Sequence, residues 1–361
     1  MTQSPPDQAI TPSQRPVRVQ APSGLGPLIK NAWYVVAARA DVGRELRQIT
    51  VLNEPLVYFR AEDGEPVVLD DRCPHRRFSL AKSHLKGDTI QCAYHGLTFD
   101  RTGACIFAPG VTGELHFGVR QYTAVERGLW LWVWMGDPDR ADPAQIPLDD
   151  TSGEWYGPSG YTLNQCNYLL MHENLLDLTH LHYLHGPHVA DETYATTPPT
   201  ALESTDPNAV GHSKDVRTAL SIFAVWCGTD PATLVRRTES VWSLGPSFHR
   251  ADQEYRMLDG TPATPGKARV LHAITPETST TTHQFWTLQV DSPTVLDDEE
   301  LQASVHGVFQ EDVEVLALQN RYVAADTRQG IVVENSIPTD VHGVKFRRVL
   351  QRLARSEAAG A

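Results

Sequence analysis

Two cysteine–histidine pairs, Cys73-Pro-His75 and Cys92-Ala-Tyr-His95, stand sixteen residues apart. Two thiolates can hold one iron while two imidazoles hold another, so this donor set at this spacing suits a [2Fe–2S] centre with mixed ligation. A structural zinc uses the same four donors. The Cys-x-His pairing, with Tyr94-His95-Gly96 after the second cysteine, speaks against it. Gly96 and Gly103 let the surrounding turns fold closely around an inorganic core.

A second group lies in Glu173-Asn174-Leu175-Leu176-Asp177-Leu178-Thr179-His180-Leu181-His182-Tyr183-Leu184-His185. Asn174, Asp177 and His180 follow at i, i+3 and i+6 and so share a helix face. His180 and His185 are about 140° apart on a regular helix. Both reach one metal only where that helix unwinds, and Gly186-Pro187 is a reason for it to end there. Two histidines and one carboxylate with open positions left over form the facial triad of mononuclear iron(II) oxygenases. The carboxylate must come from elsewhere, and Asp312 is the expected donor. On a helix it lies beside Val308, Phe309, Val315 and Leu316, a buried face, whereas Glu311 sits nearer the edge.

These groups need two kinds of scaffold. Residues 28–150 carry short apolar or alternating stretches broken by Gly and Pro, among them Trp33–Val36, Leu56–Phe59, Pro66–Leu69 and Leu129–Met135. They predict a small antiparallel β domain holding the first constellation. Gly136-Asp137-Pro138-Asp139 and the polar stretch to Gly153 read as a linker. Residues 151–361 are expected to mix helices with an antiparallel sheet, an α+β domain. A helix is expected in the second half of Tyr161–Tyr183, strands at Ala219–Val225, Val270–Thr275 and Thr282–Val290, a helix from about Asp297 to Val323, and a short basic helix at 344–355. Residues 1–27, rich in Pro, Ser and Gln, read as a disordered tail, neither signal peptide nor membrane anchor.

The chain has 361 residues, 41% hydrophobic and 21% charged, enough for two domains with a large core. Its formal charge of −13, with no dense Lys/Arg block, argues against nucleic acid as a partner. The longest apolar run, Leu129–Met135, is too short to cross a bilayer. Five cysteines, two of them in a metal motif, do not make a disulfide framework, and a reducing cytoplasm is the expected setting.

With both constellations in place, the chain resembles the Rieske-type non-haem iron oxygenases, specifically the large oxygenase component of the vanillate O-demethylase and dicamba demethylase branch. The likeness runs from about residue 30 to 325. It is carried by Asn31-Ala32-Trp33-Tyr34, the two cluster loops, Gly128-Leu129-Trp130 with Gly136-Asp137-Pro138, the Asn174–His185 segment and Thr275-Pro276-Glu277. Leu97 stands where many relatives carry Trp, and this branch often has Leu there. The resemblance implies a Rieske [2Fe–2S] domain followed by a helix-grip catalytic domain. By it, Cys73, His75, Cys92 and His95 ligate the cluster, while His180, His185 and Asp312 ligate a mononuclear Fe(II). Asp177 would link a cluster histidine of a neighbouring subunit to an iron ligand, which makes the active unit an oligomer, in this branch a homotrimer. Asn174 would lie at the edge of the substrate cavity. The implied reaction uses O2 and electrons from a separate NAD(P)H-dependent reductase, directly or through a ferredoxin, to remove an O- or N-alkyl group from a small aromatic substrate.

Ring cis-dihydroxylation uses the same metals and is the alternative reaction. A pure Rieske electron carrier is the alternative class, but such carriers end soon after the cluster domain. His272, His283 and Trp286, on strands expected near the cavity, are further candidates for substrate contact. Phe223, Trp226 and Phe285 read as core. His182 and His188 read as solvated or packing residues, and His84, His116, His212, His249, His306 and His342 as surface or hydrogen-bonding ones. Cys105, Cys166 and Cys227 read as small buried hydrophobes, and Glu173 as an exposed helix acid.

Overall fold

The computed structural model describes residues 24–148, 153–220, 222–330 and 334–359. The predicted tail at 1–27 lies outside the described residues up to 23. Its last four are packed, because Gly26 N donates to Asn167 Oδ1 at 3.0 Å and the Tyr168 hydroxyl donates to Pro27 O.

The N-terminal half is all β. One sheet orders Trp33–Ala38, Trp130–Trp134 and Ala124–Arg127; another is the meander Arg47–Val51, Glu54–Arg60 and Pro66–Asp70. Four short strands, His84–Lys86, Thr89–Gln91, Thr98–Phe99 and Cys105–Phe107, form the third. The first cluster loop precedes this third sheet and the second is the hairpin joining its middle strands.

The run Trp130-Leu131-Trp132-Val133-Trp134 is buried on both faces, so it shows no alternation. Trp130 and Trp132 pack against Phe248 of the catalytic half, with ring centroids 6.0 and 5.8 Å apart. Main-chain bonds join the halves as well. Leu52 N and Asn53 N donate to the carbonyls of Pro276 and Glu277, each at 2.8 Å, and the Thr275 hydroxyl donates to Val35 O. The expected linker is part of this packing up to residue 148. Asp137 and Asp142 cap single 3₁₀ turns that begin with proline, and Ile146 and Leu148 are buried.

The catalytic half is built on one antiparallel sheet of seven strands. Their order is Ser159–Asn164, Thr282–Val290, Pro262–Pro276, Phe248–Met257, Leu234–Leu244, Ala209–Ala219 and Thr200–Leu202. Among the described residues six α-helices accompany it: α1 (Tyr168–Leu176), α2 (His180–Tyr183), α3 (Glu192–Thr196), α4 (Ile222–Trp226), α5 (Asp298–Gln329) and α6 (Val341–Ala359). The apolar run at Ala219–Val225 is not a strand. The chain leaves the sheet at Ala219 and forms α4, which buries Phe223, Ala224 and Trp226. A short apolar run fits either state, and tertiary burial decided it.

Both faces of the sheet are covered, which fixes what each strand position does. Leu271, Ala273 and Phe285 belong to the core shared with the N-terminal tryptophans; Val270 and Ile274 face the helical layer. Helix α5 begins in a reciprocal capping box, Asp297 accepting from Glu300 N and Glu300 from Asp297 N, and ends at Gly330 with φ 68°. Asn167 opens α1 by accepting from Leu169 N, while its own N–H donates to Asn320 of α5. That one side chain ties the start of α1 to the chain entry, and α5 bonds its backbone. No helix among the described residues is long and apolar enough to cross a membrane.

Candidate active site

The two cluster loops have the same backbone construction. Cys73 N donates to Phe78 O and Arg77 N to Cys73 O; Cys92 N donates to Leu97 O and Gly96 N to Cys92 O. Each loop is thus a tight turn from the cysteine to an apolar residue five positions on. In each, the fourth residue after the cysteine is left-handed, Arg77 at φ 60° and Gly96 at φ 76°. Arg77 bears a conformation that glycine adopts more readily. Asp71 braces the first loop by accepting from Ser79 Oγ at 2.8 Å and from Ala81 N and Gln48 Nε2 at 2.5 Å each.

The cysteines are buried, whereas His75 and His95 are exposed, with ring centroids 4.6 Å apart. A bridged pair of irons fits this arrangement: thiolates inside, imidazoles at the protein surface, where an electron can leave. Burial lifts the Cys73 thiol above its ordinary range, and the neighbouring Cys92 thiol adds to this. Metal binding therefore displaces protons here.

The second centre lies where α1, α2 and α5 meet. Helix α1 stops at Leu176 because Asp177 takes extended dihedrals, φ −111° and ψ 92°. Asp177 and His180 are consequently not on one continuous helix with Asn174, as their spacing had suggested. The chain re-enters helix for one turn at α2, and His185 follows it just before left-handed Gly186. These breaks turn both imidazoles toward Asp312 of α5. His180 Nε2 is 3.8 Å from Asp312 Oδ1, and His185 Nε2 is 3.5 Å from Asp312 Oδ2. One donor atom from each residue lies within 4.8 Å of the others.

The other ring nitrogens are occupied in the way a metal site requires. His180 Nδ1 donates to the Asp177 main-chain carbonyl at 2.6 Å, so the bond from Asp177 comes from its backbone and not from its carboxylate. His185 Nδ1 donates to Glu311 Oε2 at 2.7 Å. His185 Nε2 is buried with no hydrogen-bond partner. An inward lone pair with nothing to meet suits a cation, and the three donors fit one. Burial pushes Asp312 up, but the nearby imidazoles of His185 and His180 and the Asn174 amide bring it below the ordinary carboxylate range. For His185 burial lowers the pKa, and Asp312 and Glu311 together outweigh it.

Sequence reasoning placed Glu311 at an edge without a task. The structure pairs it with His185, where a carboxylate fixes the tautomer and raises the basicity of the opposite nitrogen. Glu311→Gln keeps an acceptor but removes the charge. Its expected effect is a roughly tenfold weaker hold on iron(II), measured by chelator competition, with the [2Fe–2S] absorbance unchanged. Unaltered iron affinity would show that Glu311 does not act through His185.

The remaining candidates separate. His180, His185, Asp312 and His272 line a cavity of about 120 Å³ walled by Leu175, Leu181, Phe223, Val308 and Phe309. Burial holds His272 down at about 4, so its ring is neutral. Gln284 donates to its Nδ1, which puts the His272 proton on Nε2. Trp286 is in the second layer: Phe309 of α5 covers it, centroids 4.8 Å apart, and its indole donates to Thr162. His283 is not at the cavity. Its parity along the strand turns it the other way, to the Tyr161 hydroxyl at 2.9 Å and Thr50 O at 2.9 Å. Asn174 reaches Asp312, its amide donating to Oδ1 at 3.0 Å. Phe223 and His249, read from sequence as core and as a surface or hydrogen-bonding histidine, both line the cavity. His212 is buried and hydrogen-bonded through Nε2 to Leu176 O, His342 is buried with neither ring nitrogen paired, and Glu173 is only partly exposed and paired with Arg347.

Residues 32–123 match the Rieske [2Fe-2S] domain family, and residues 164–356 match the vanillate O-demethylase oxygenase C-terminal domain family. The toluene-4-sulfonate monooxygenase system iron-sulfur subunit of Comamonas testosteroni is 33% identical over 92% of this chain and 99% of its own length. The dicamba O-demethylase oxygenase component of Stenotrophomonas maltophilia is 29% identical over the same shares, 92% and 99%. Among solved structures, dicamba monooxygenase bound to dicamba superposes with a TM-score of 0.79 at 27% identity, covering 91% of this chain and 98% of that one. Dicamba monooxygenase with non-heme iron and dicamba gives a TM-score of 0.75, also at 27% identity, covering 92% and 99%.

Proposed function

Because this chain belongs to the Rieske oxygenase family that carries the vanillate O-demethylase oxygenase C-terminal domain, we propose that it is a terminal oxygenase removing an O- or N-alkyl group from a small aromatic compound. One observation carries the reading: two histidines and one carboxylate converge at the wall of a small apolar cavity, in a chain that also holds a cluster cradle. The relatives support dealkylation, since those named for dicamba and vanillate are O-demethylases and one named for chloroacetanilide is an N-alkylformylase.

In this reading Cys73, Cys92, His75 and His95 hold the [2Fe–2S] cluster, and His180, His185 and Asp312 hold the iron. When bound, these groups supply the electrons and oxygen activation that hydroxylate an alkyl carbon, whose hemiacetal or hemiaminal then releases an aldehyde. Phe223, Val308 and Phe309 exclude water and seat an aromatic ring; apolar cavities of ~150 Å³ accept one of benzene's size. His272 offers a neutral N–H at the wall. Asn174 and Glu311 keep Asp312 and His185 aimed at the metal position.

Electrons come from a separate reductase and must cross between copies of the chain. His75 and His95 make no hydrogen bond or ion pair with Asp177 of their own chain. The exposed cluster tip carries Arg76 and Arg77, while the open groove beside His180 is lined by Glu173, Asp177, Glu334 and Asp340 as well as Arg347. These opposite charges suit docking of one copy's tip on the next copy's groove, in a homotrimer.

The test is product analysis with a surrogate NADH-dependent reductase across methoxylated, N-methylated and plain aromatics. Formaldehyde in step with the dealkylated product is expected. A cis-diol from a plain ring, without formaldehyde, would replace dealkylation by dihydroxylation.

A further inference from the structure

Outside both metal centres, two more histidines meet with ring nitrogens to spare. His212 comes from the strand Ala209–Ala219, on the side where Val210 and Val216 pack under the helical layer. His342 sits in the first turn of α6. They are 1% and 2% exposed, with ring centroids 4.7 Å apart. That spacing falls between those of the two pairs read above as metal ligands, 4.6 Å for His75 and His95 and 5.3 Å for His180 and His185.

His212 Nδ1, His342 Nδ1 and His342 Nε2 are buried with no hydrogen-bond partner. His212 Nε2 donates to Leu176 O at 3.0 Å. A carbonyl can only accept, so the His212 proton is on Nε2 and its Nδ1 is a lone pair. His180 is set in the same manner, its Nδ1 donating to Asp177 O. Two successive carbonyls at the end of α1 thus orient two different histidines, as the outer partners of metal-bound imidazoles do. Burial holds both rings neutral, His342 down at about 4, and the neutral ring is the form that ligates. Around His212, Glu239 and Asp177 favour positive charge and Lys214 opposes it; around His342, Asp177 favours it and Lys345 opposes it. The Thr339 hydroxyl, three residues before His342, is buried without a partner as well.

Core packing alone does not account for this pair. A phenyl ring or a leucine side chain fills such space without stranding polar atoms, and each stranded atom costs stability. An ion that ligates imidazole meets a nitrogen of both rings at once. We infer that His212 Nδ1 and one nitrogen of His342 bind a divalent metal of the zinc class, separate from the iron and the cluster, with water filling its other positions. The ion fastens α6 to the sheet. Asp340 and Gly343, which flank His342 in the chain, line the groove beside His180 together with Asp177, so the same ion stiffens the wall of that groove.

Zinc itself is the probe, added to the chain with cluster and iron already loaded, so that the iron ligands are not free to take it. After gel filtration about one zinc per chain is expected, with iron unchanged. His342→Phe, which keeps a ring in place, is expected to retain less than about a tenth of that zinc. X-ray absorption at the zinc edge of the wild-type protein is expected to count about two imidazoles per zinc. No retained zinc, or equal zinc on His342→Phe, overturns the site. So does a zinc with one imidazole or none, which marks a surface histidine, and so does zinc gained only as iron is lost. The wild-type zinc count and spectrum decide even if the variant does not fold.

Discussion

Asp312→Ala will give a brown protein with a full [2Fe–2S] complement, no mononuclear iron and no product. The cluster loops lie in a separate sheet system, and no bond joins them to Asp312, so the change leaves them alone. At the iron site it removes the one carboxylate facing both histidines, at 3.8 and 3.5 Å. It also strands the Asn174 amide that Asp312 accepts from. Loss of a carboxylate beside a metal ligand alone costs about ten- to a hundredfold in affinity, so loss of a direct ligand will exceed that. Iron analysis before and after dialysis, with cluster absorbance as the internal standard, measures it. Retention of stoichiometric mononuclear iron with normal turnover would exclude Asp312 as a ligand and turn attention to Glu311.

Asp177→Asn is expected to keep both metals and lower turnover by at least about a hundredfold. The structure makes this substitution informative. The Asp177 carboxylate accepts from Thr179 N at 2.9 Å and from the Thr179 hydroxyl, and an amide oxygen can accept both. His180 is held by the Asp177 main-chain carbonyl, which the substitution does not touch. Local structure and iron affinity should therefore survive, and only the negative charge at the groove disappears. If that charge holds the neighbouring copy's cluster histidine, electron transfer to the iron site fails in single as in multiple turnover, while dithionite still reduces the cluster itself. Multiple-turnover rates equal to wild type, with intact metals and unchanged assembly, would remove the bridging role.

What could be read from sequence divides along a physical line. The cluster cysteines and histidines were legible because each pair closes a single tight turn, so ligand geometry is written in short spacing. His180 and His185 were legible for the same reason, together with the expectation that the helix must unwind between them. Asp312 followed from the amphipathic pattern of α5, which distinguishes a helix face without knowing its partner. Glu311 lies at the edge of α5 as its spacing suggests, but its bond to His185 was not legible, because that partner is 126 residues away and only tertiary packing brings them together. His283 was misplaced for another reason. Its strand is buried on both faces, so apolar content cannot tell which parity faces the cavity, and the neighbouring Rieske domain settles it. The His212–His342 pair left no signal, because neither residue has ligand spacing and only the packing of α6 on the sheet brings the two rings together.

Iron and sulfide stoichiometry with electron paramagnetic resonance on one purified sample is the most direct test of two metal centres on one chain. About three irons and two inorganic sulfides per chain are expected, with a rhombic Rieske signal after dithionite reduction. About two irons with that signal would leave an electron carrier without an oxygenase site. Zinc in place of iron, or no rhombic signal, would contradict the account at its root.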